Sequence, residues 1–304
     1  MINKILTIVV LVLAITYSLL RSYQKETSFF IENDNIVVIK DIENSSLINL
    51  PMEEYLIGVL AGEMPASFEE EALKAQAVAS RTYAYYKILT SDKEYDLTTD
   101  ITTQVYLSES KMKEKWQGDY EKYYQKIKKA IDDTKGEVLT FNDVVIPAYY
   151  FSMSNGYTES ALAVFGEDRK YLVSVNSQED VTHRNYEVTK IIEKSEFCTK
   201  LNIECNDIVI TNLERNNTQR IISLDINGLS FTGIEVRKLL NLRSTDFALK
   251  VAENNVEITT KGYGHGVGMS QYGANTMAKS GFNYEQILFH YYSGVEINDV
   301  SSIK

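Results

Sequence analysis

The chain has little of what builds metal centres, linkers or phosphate-binding surfaces. Its 304 residues include two cysteines (Cys198, Cys205), three histidines (His183, His265, His290), three prolines (Pro51, Pro65, Pro147) and one tryptophan (Trp116). A zinc site gathers three or four Cys, His or carboxylate ligands, and no run of the sequence supplies such a set. The expectation is chemistry without a metal or other cofactor. Few prolines and no Ser/Gly-rich stretch leave no flexible linker in view. Basic residues number 31 against 42 acidic ones, for a net charge of −11. That balance argues against nucleic acid as a partner, because phosphate binding needs a positive surface, and gives no polybasic patch for a lipid surface. No internal repeat is visible. What is present is 44% hydrophobic, enough to bury a full core in one large domain or two closely joined ones. The 21 tyrosines suit amphipathic packing, and some suit stacking on sugar rings.

One apolar run stands out. Ile5 to Leu20 carries no charge, with Lys4 before it and Arg21 and Lys25 after. Its 16 residues fall short of the ~20 that usually span a bilayer, and snorkelling by Lys4 and Arg21 narrows the gap. A cleaved signal peptide competes with a retained anchor, but no small-x-small cleavage site follows. The expectation is a signal anchor over residues 1–25 and a single region, 26–304, beyond it. The nearly balanced flanking charges do not fix its orientation. Cys198 and Cys205 lie in FCTKLNIEC and allow two readings, a short-loop disulfide in an oxidising compartment or two unlinked thiols.

Periodicity outlines the rest. Phe29–Lys40 alternates as a strand pair around a turn at Asn33-Asp34-Asn35. Glu53–Gly62 is helical, with Leu56, Val59 and Leu60 on one stripe. Pro65 stops that helix, and Ser67-Phe68-Glu69-Glu70 fits a capping box for the next. Tyr120–Thr134 forms an amphipathic helix that stops at Gly136. EVLTFNDVVIPAYYFS reads as a hairpin around Asn142-Asp143. From about Glu187 to Asp246 a short helix mixes with β-branched strands, and Asn283–Gln286 caps a closing helix. Helices and strands are partly segregated, so the fold class is α+β, with helices and antiparallel strands in one compact region.

Glu63 is the leading catalytic candidate. It follows Leu56, Val59 and Leu60 at helical spacing, so a carboxylate joins the apolar stripe at the negative end of a helix. Desolvation and the dipole both favour the protonated form there, as a general acid near neutral pH requires. The alternative is a helix-terminal surface charge. Arg81 has only Ala77, Val78, Ala84 and Tyr85 at helical neighbour positions. Its partner therefore comes from elsewhere in the fold, as a structural ion pair, or from a substrate. Ser152, Ser154, Asn155, Thr158 and Glu159 form a polar run after a strand, suited to hydrogen-bonding amino-sugar groups, although Asn-Gly is also a plain turn signal.

Lys261–Ala274 holds Gly262, Gly264, Gly266 and Gly268 around His265. It fails the dinucleotide pattern, since Val267 stands where the third glycine would fall. It fails the hydrolase elbow as well, with Tyr272 two positions after Ser270. The run is left as a backbone built for close approach, to the catalytic helix or to a substrate. His265, Ser270 and Gln271 offer polar reach from it. His265 reads equally as a satisfied interior histidine and Ser270 as a helix N-cap.

Four blocks in order, LPMEEYLIGVLAGEMPASFEEEALKAQAVASRTYAYY, YYFSMSNGYTES, FTGIEVRKLLNLRS and KGYGHGVGMSQYGA, resemble the SpoIID/LytB family over nearly the whole chain after its N-terminal segment. The resemblance implies a peptidoglycan lytic transglycosylase of forespore engulfment with Glu63 as its single acid and base. It implies a substrate-binding role for Arg81, Ser152, Ser154, Asn155, Thr158, His265 and Gln271, and places Thr98–Tyr106 near the active site. It further implies a location in the mother-cell membrane facing the septal wall, peptide-stripped glycan strands as substrate, and stage II sporulation proteins P (an amidase) and M as partners. The family's LytB branch suggests the alternative of a wall-binding scaffold that stimulates an amidase. A two-carboxylate muramidase using Asp100 or Asp246 is a third reading.

Overall fold

The structure is a computed structural model describing residues 36–303. The apolar run Ile5–Leu20 and the turn at Asn33–Asn35 lie outside them. Among the described residues no helix is long and apolar enough to cross a membrane. The described chain divides into two compact units. The first comprises residues 36–67, Ala77–Pro147 and the residues from Glu296 onward; the second comprises Phe68–Gln76 and Ala148–Val295.

The first unit starts with strands β1 (Ile36–Asp41) and β2 (Ser46–Pro51), paired antiparallel with Ile39 opposite Ile48. The turn between them is set by Asp41, whose carboxylate accepts the backbone N–H of Glu43 and the amide of Asn44. Val37 and Ile39 point inward, fully buried. A short strand β3 (Leu97–Thr98) joins β1 in parallel, a departure from the all-antiparallel expectation. Helix α1 (Met52–Glu63) follows β2, and α2 (Glu70–Thr90) carries the chain between the units. The α2 start falls three residues past Ser67, so the anticipated capping box is displaced; instead Asn275 Oδ1 accepts the Glu69 N–H at 2.8 Å. Helices α3 (Glu109–Trp116) and α4 (Tyr120–Asp133) come next, α4 burying Ile127, Ala130 and Ile131. The hairpin of β4 (Glu137–Phe141) and β5 (Val144–Val145) turns at Asn142 and Asp143. Both have positive φ, 53° and 61°, as a two-residue type I′ turn demands. The late strand Glu296–Asp299 pairs with β4.

The second unit has a core of Phe197, Leu224, Val236, Phe247, Val256 and Ile258. Around it lie the antiparallel sheets β7–β12–β11 (Glu187–Glu193, Asn255–Lys261, Phe247–Val251) and β8–β9–β10 (Ile210–Arg215, Ile221–Ile226, Leu229–Thr232). Helices α5 (Lys194–Leu201) and α6 (Gly233–Leu240) complete this part. Cys198, on α5, is joined to Cys205 by a disulfide. Strand β6 (Tyr150–Phe151) pairs in parallel with β13 (Met269–Ser270). Ser270 then caps α7 (Gln271–Lys279), and Asn283 with Gln286 forms the capping box of α8 (Tyr284–Tyr291).

The glycines of the 262–268 run all have positive φ. A Cβ on Gly268 would lie 1.9 Å from the Tyr149 carbonyl oxygen. The close approach expected of this run is thus made to the Tyr149–Glu159 segment of its own unit, with paired backbone bonds between Met153 and Tyr263 and a Glu159 N–H to Gly266 O bond.

Candidate active site

Helix α1 ends because Met64 leaves helical geometry (φ −124°, ψ 141°) ahead of Pro65. The Lys115 ammonium, from α3, donates to the Ala61 carbonyl at 2.8 Å and meets an orphan acceptor of the last turn. Glu63 is therefore the final helical residue, on the same stripe as the buried Leu56, Val59 and Leu60.

The Thr98–Leu107 segment lies along α1. The Leu107 N–H donates to Gly58 O at 3.0 Å, and Tyr106 stacks on Tyr55 with centroids 5.8 Å apart. The buried Tyr55 hydroxyl donates to Gln104 Oε1 at 3.0 Å. Only glycine permits this fit. A Cβ on Gly62 would sit 2.5 Å from Val105 O, and one on Gly58 would sit 2.2 Å from the Tyr106 ring. The close fit delivers the Val105 N–H to Glu63 Oε1 at 2.7 Å.

Glu63 keeps partial access to solvent. Burial pushes its carboxyl up to about 7, against the opposing pull of the Val105 N–H. Its second oxygen has no hydrogen bond to the described residues. A carboxyl half-protonated near pH 7 serves as acid and then as base. Asp100, on the neighbouring turn, differs. Its oxygens accept from the Thr98 hydroxyl and from Thr102, holding it below the usual carboxylate range.

Arg81 occupies a separate place. Its side chain is 0% exposed. Nη2 and Nε fork onto Glu53 at 2.6 and 3.0 Å, and Nη1 and Nη2 donate to the carbonyls of Glu137 and Ile131 at 3.2 and 3.3 Å. Glu53 begins α1 and Glu63 ends it, ten residues later, or about 15 Å along a helix. Arg81 therefore does not orient Glu63. Its partner, unidentified from sequence, is a structural one.

The remaining sequence candidates lie in the second unit. Ser154, Ser177 and Ser270 converge on the buried Asp180, whose Oδ2 accepts the Ser154 N–H and both the Ser177 and Ser270 hydroxyls at 2.8–3.0 Å. The Ser154 hydroxyl donates to Ser177 O, and Thr158 Oγ1 to Val173 O. The Ser152 carbonyl receives the Tyr272 N–H. Gln271 is buried and donates to Gln76 at 3.3 Å. His265 sits among the rings of Tyr149, Phe151 and Phe165, with Nδ1 accepting the Val267 N–H. Burial lowers it to about 4. Asn155 lines a cavity together with Asp246. The resemblance placed Thr98–Tyr106 near the site, but sequence reasoning assigned no individual role to Val105, Gln104, Tyr55 or Lys115. The Gly58/Gly62 pair, one helical turn apart on an apolar helix, was the signal for the first three.

The stage II sporulation protein (SpoIID) family model matches residues 42–141, the stretch that carries Glu63, Arg81 and Val105. The chain is 41% identical to stage II sporulation protein D of Bacillus amyloliquefaciens over 266 residues, covering 85% of this chain and 77% of that protein. To the Bacillus subtilis counterpart it is 40% identical, covering 85% and 78%. A more distant relative, the amidase enhancer of Bacillus subtilis, is 30% identical, with 80% of this chain and 40% of that protein covered. The chain belongs to the SpoIID family.

Proposed function

We propose that the chain is a peptidoglycan lytic transglycosylase acting in forespore engulfment, held in the membrane by its N-terminal apolar run. The observation that carries this reading is the environment of Glu63: one oxygen on a backbone N–H, the other open, and a carboxyl raised to about 7. The protonated carboxyl donates to the glycosidic oxygen leaving C1 of N-acetylmuramic acid. The resulting carboxylate takes the proton from that sugar's C6 hydroxyl, whose oxygen closes on C1 to give a 1,6-anhydro ring. No water is consumed, so the second carboxylate of ordinary glycosidases has no task. Peptide-stripped strands are the proposed substrate, with an amidase acting first and stage II sporulation proteins P and M as partners.

The similarity to an amidase enhancer favours one other reading, a wall-binding scaffold. Mass analysis of products from peptide-free strands separates the possibilities. Anhydro-muramic ends are expected; reducing muramic ends would indicate a muramidase, and no release with stimulation of an amidase would indicate a scaffold.

A further inference from the structure

The β8–β9 loop shapes a polar cavity of about 280 Å³ wholly inside the second unit, lined by Asn155, Tyr157, Tyr186, Arg215, Asn217 and Asp246 among others. Its walls are fixed in an unusual way. Pairing of β8 with β9 slips at Glu214 and Arg215, a bulge of the kind that re-aims a side chain. Arg215 Nη2 donates to Phe247 O at 2.7 Å, and Nη1 lies 3.3 Å from Asp246 Oδ1. The other Asp246 oxygen accepts from Asn155 Nδ2 at 2.8 Å. Gln219 holds φ 68°, a conformation strained for a non-glycine residue.

Behind these walls lies a buried ion pair. Arg220 and Glu159 are 4% and 3% exposed and 3.1 Å apart. Glu159 also accepts from Asn216 Nδ2 and from the Thr218 hydroxyl, and Arg220 Nη2 donates to Asn155 Oδ1 at 3.4 Å. Arg220 Nη1 is buried without a hydrogen-bond partner among the described residues. A buried pair is poor support for stability, and strain on the same loop adds nothing to it. Together they position the cavity's planar polar groups. The charges cancel in pairs: Arg215 with Asp246, Arg220 with Glu159, and Lys261 with Glu187 at 3.8 Å. A balanced wall suits a neutral ligand. Two tyrosine rings beside planar amides suit one with apolar faces and an equatorial rim of hydroxyls. The volume is below the range typical of drug-sized ligands and fits a single ring.

We propose that this cavity holds one neutral sugar ring of a glycan strand, making the second unit a saccharide-binding element in its own right. The proposal rests on the glycan-cleaving reading above for the identity of the strand. The test uses the full-length chain carrying Glu63→Gln, titrated calorimetrically with the trisaccharide of N-acetylglucosamine. Tyr157→Ala and Asn217→Ala replace side chains with open solvent on one side. Each is expected to weaken binding at least fivefold with an unchanged melting curve. Unaltered binding by both variants, or no binding by the parent at millimolar sugar, would overturn the proposal. Product release by the otherwise unaltered chain is scored in parallel. Cleavage with unaltered variant binding overturns the cavity assignment alone, and lost variant binding without any cleavage overturns the lytic reading alone.

Discussion

Replacing Arg81 by methionine keeps most of the side-chain volume and removes two charge-assisted bonds to Glu53 and two bonds to buried carbonyls. Breaking a buried pair by deleting one partner typically costs ~3–5 kcal/mol. Glu53 is 27% exposed, so water reaches the abandoned carboxylate and the lower end of that range applies. The Ile131 carbonyl still accepts the Thr134 N–H at 3.2 Å, so the lost carbonyl bonds add no more than about 1 kcal/mol. A loss of about 3–4 kcal/mol follows, which for a chain of this size lowers Tm by on the order of 10 °C. Urea unfolding of Arg81→Met, Glu53→Gln and the double variant measures it, with a coupling of at least about 1 kcal/mol expected. Glycan affinity per folded molecule should not change. An Arg81→Met protein as stable as the parent that no longer binds glycan would refute the structural assignment and return Arg81 to the substrate.

Four further outcomes follow from the same site and fold. The Glu63 carboxyl sits at about 7 when folded against 4.5 for a free glutamate. Its ionisation therefore opposes folding above pH 7 and not below pH ~4.5, so Glu63→Gln should be the more stable protein at pH 8, by up to about 3 kcal/mol, with the advantage shrinking toward pH 5 in paired melting curves. For the same reason, kcat/KM for strand cleavage should fall about tenfold per pH unit above about 7 as the acid form is lost. Gly62→Ala favours the helix by ~1 kcal/mol but drives a methyl against Val105 O; activity should drop at least tenfold and the pH midpoint move upward, read from pH–rate profiles. Replacing both Cys198 and Cys205 by alanine should cost about 2 kcal/mol for the short loop they close, measured by denaturation, and leave cleavage unchanged.

Much of the local structure was legible in the chain because its signals are local. Asn142-Asp143 forces a tight hairpin whatever surrounds it, and Asn283 with Gln286 caps a helix from within four residues. Glu63 was visible through the spacing of Leu56, Val59 and Leu60. What escaped was non-local. Nothing near Arg81 in sequence marks Glu53 as its partner, and the Val105 N–H is a backbone group that no residue type advertises. The partners of the polar run Ser152–Glu159 were hidden for a related reason. A dense set of hydroxyls and amides looks the same whether it awaits a sugar or, like Ser154 and Ser270, closes on a buried carboxylate such as Asp180. The glycines of the 262–268 run fit tightly, but against their own unit's β6 segment.

The central claim is that one carboxylate, Glu63, performs both proton transfers of glycan cleavage. The direct measurement is the rate of 1,6-anhydro-muramic product release from peptide-free strands by the parent and by Glu63→Gln, with strand binding measured on both. General acid–base groups are worth ~10²–10⁴-fold, and here a single group acts twice. The account predicts release from the parent, none detectable from Glu63→Gln, and equal binding by the two. A Glu63→Gln protein that still releases anhydro products at the parent's rate would contradict it.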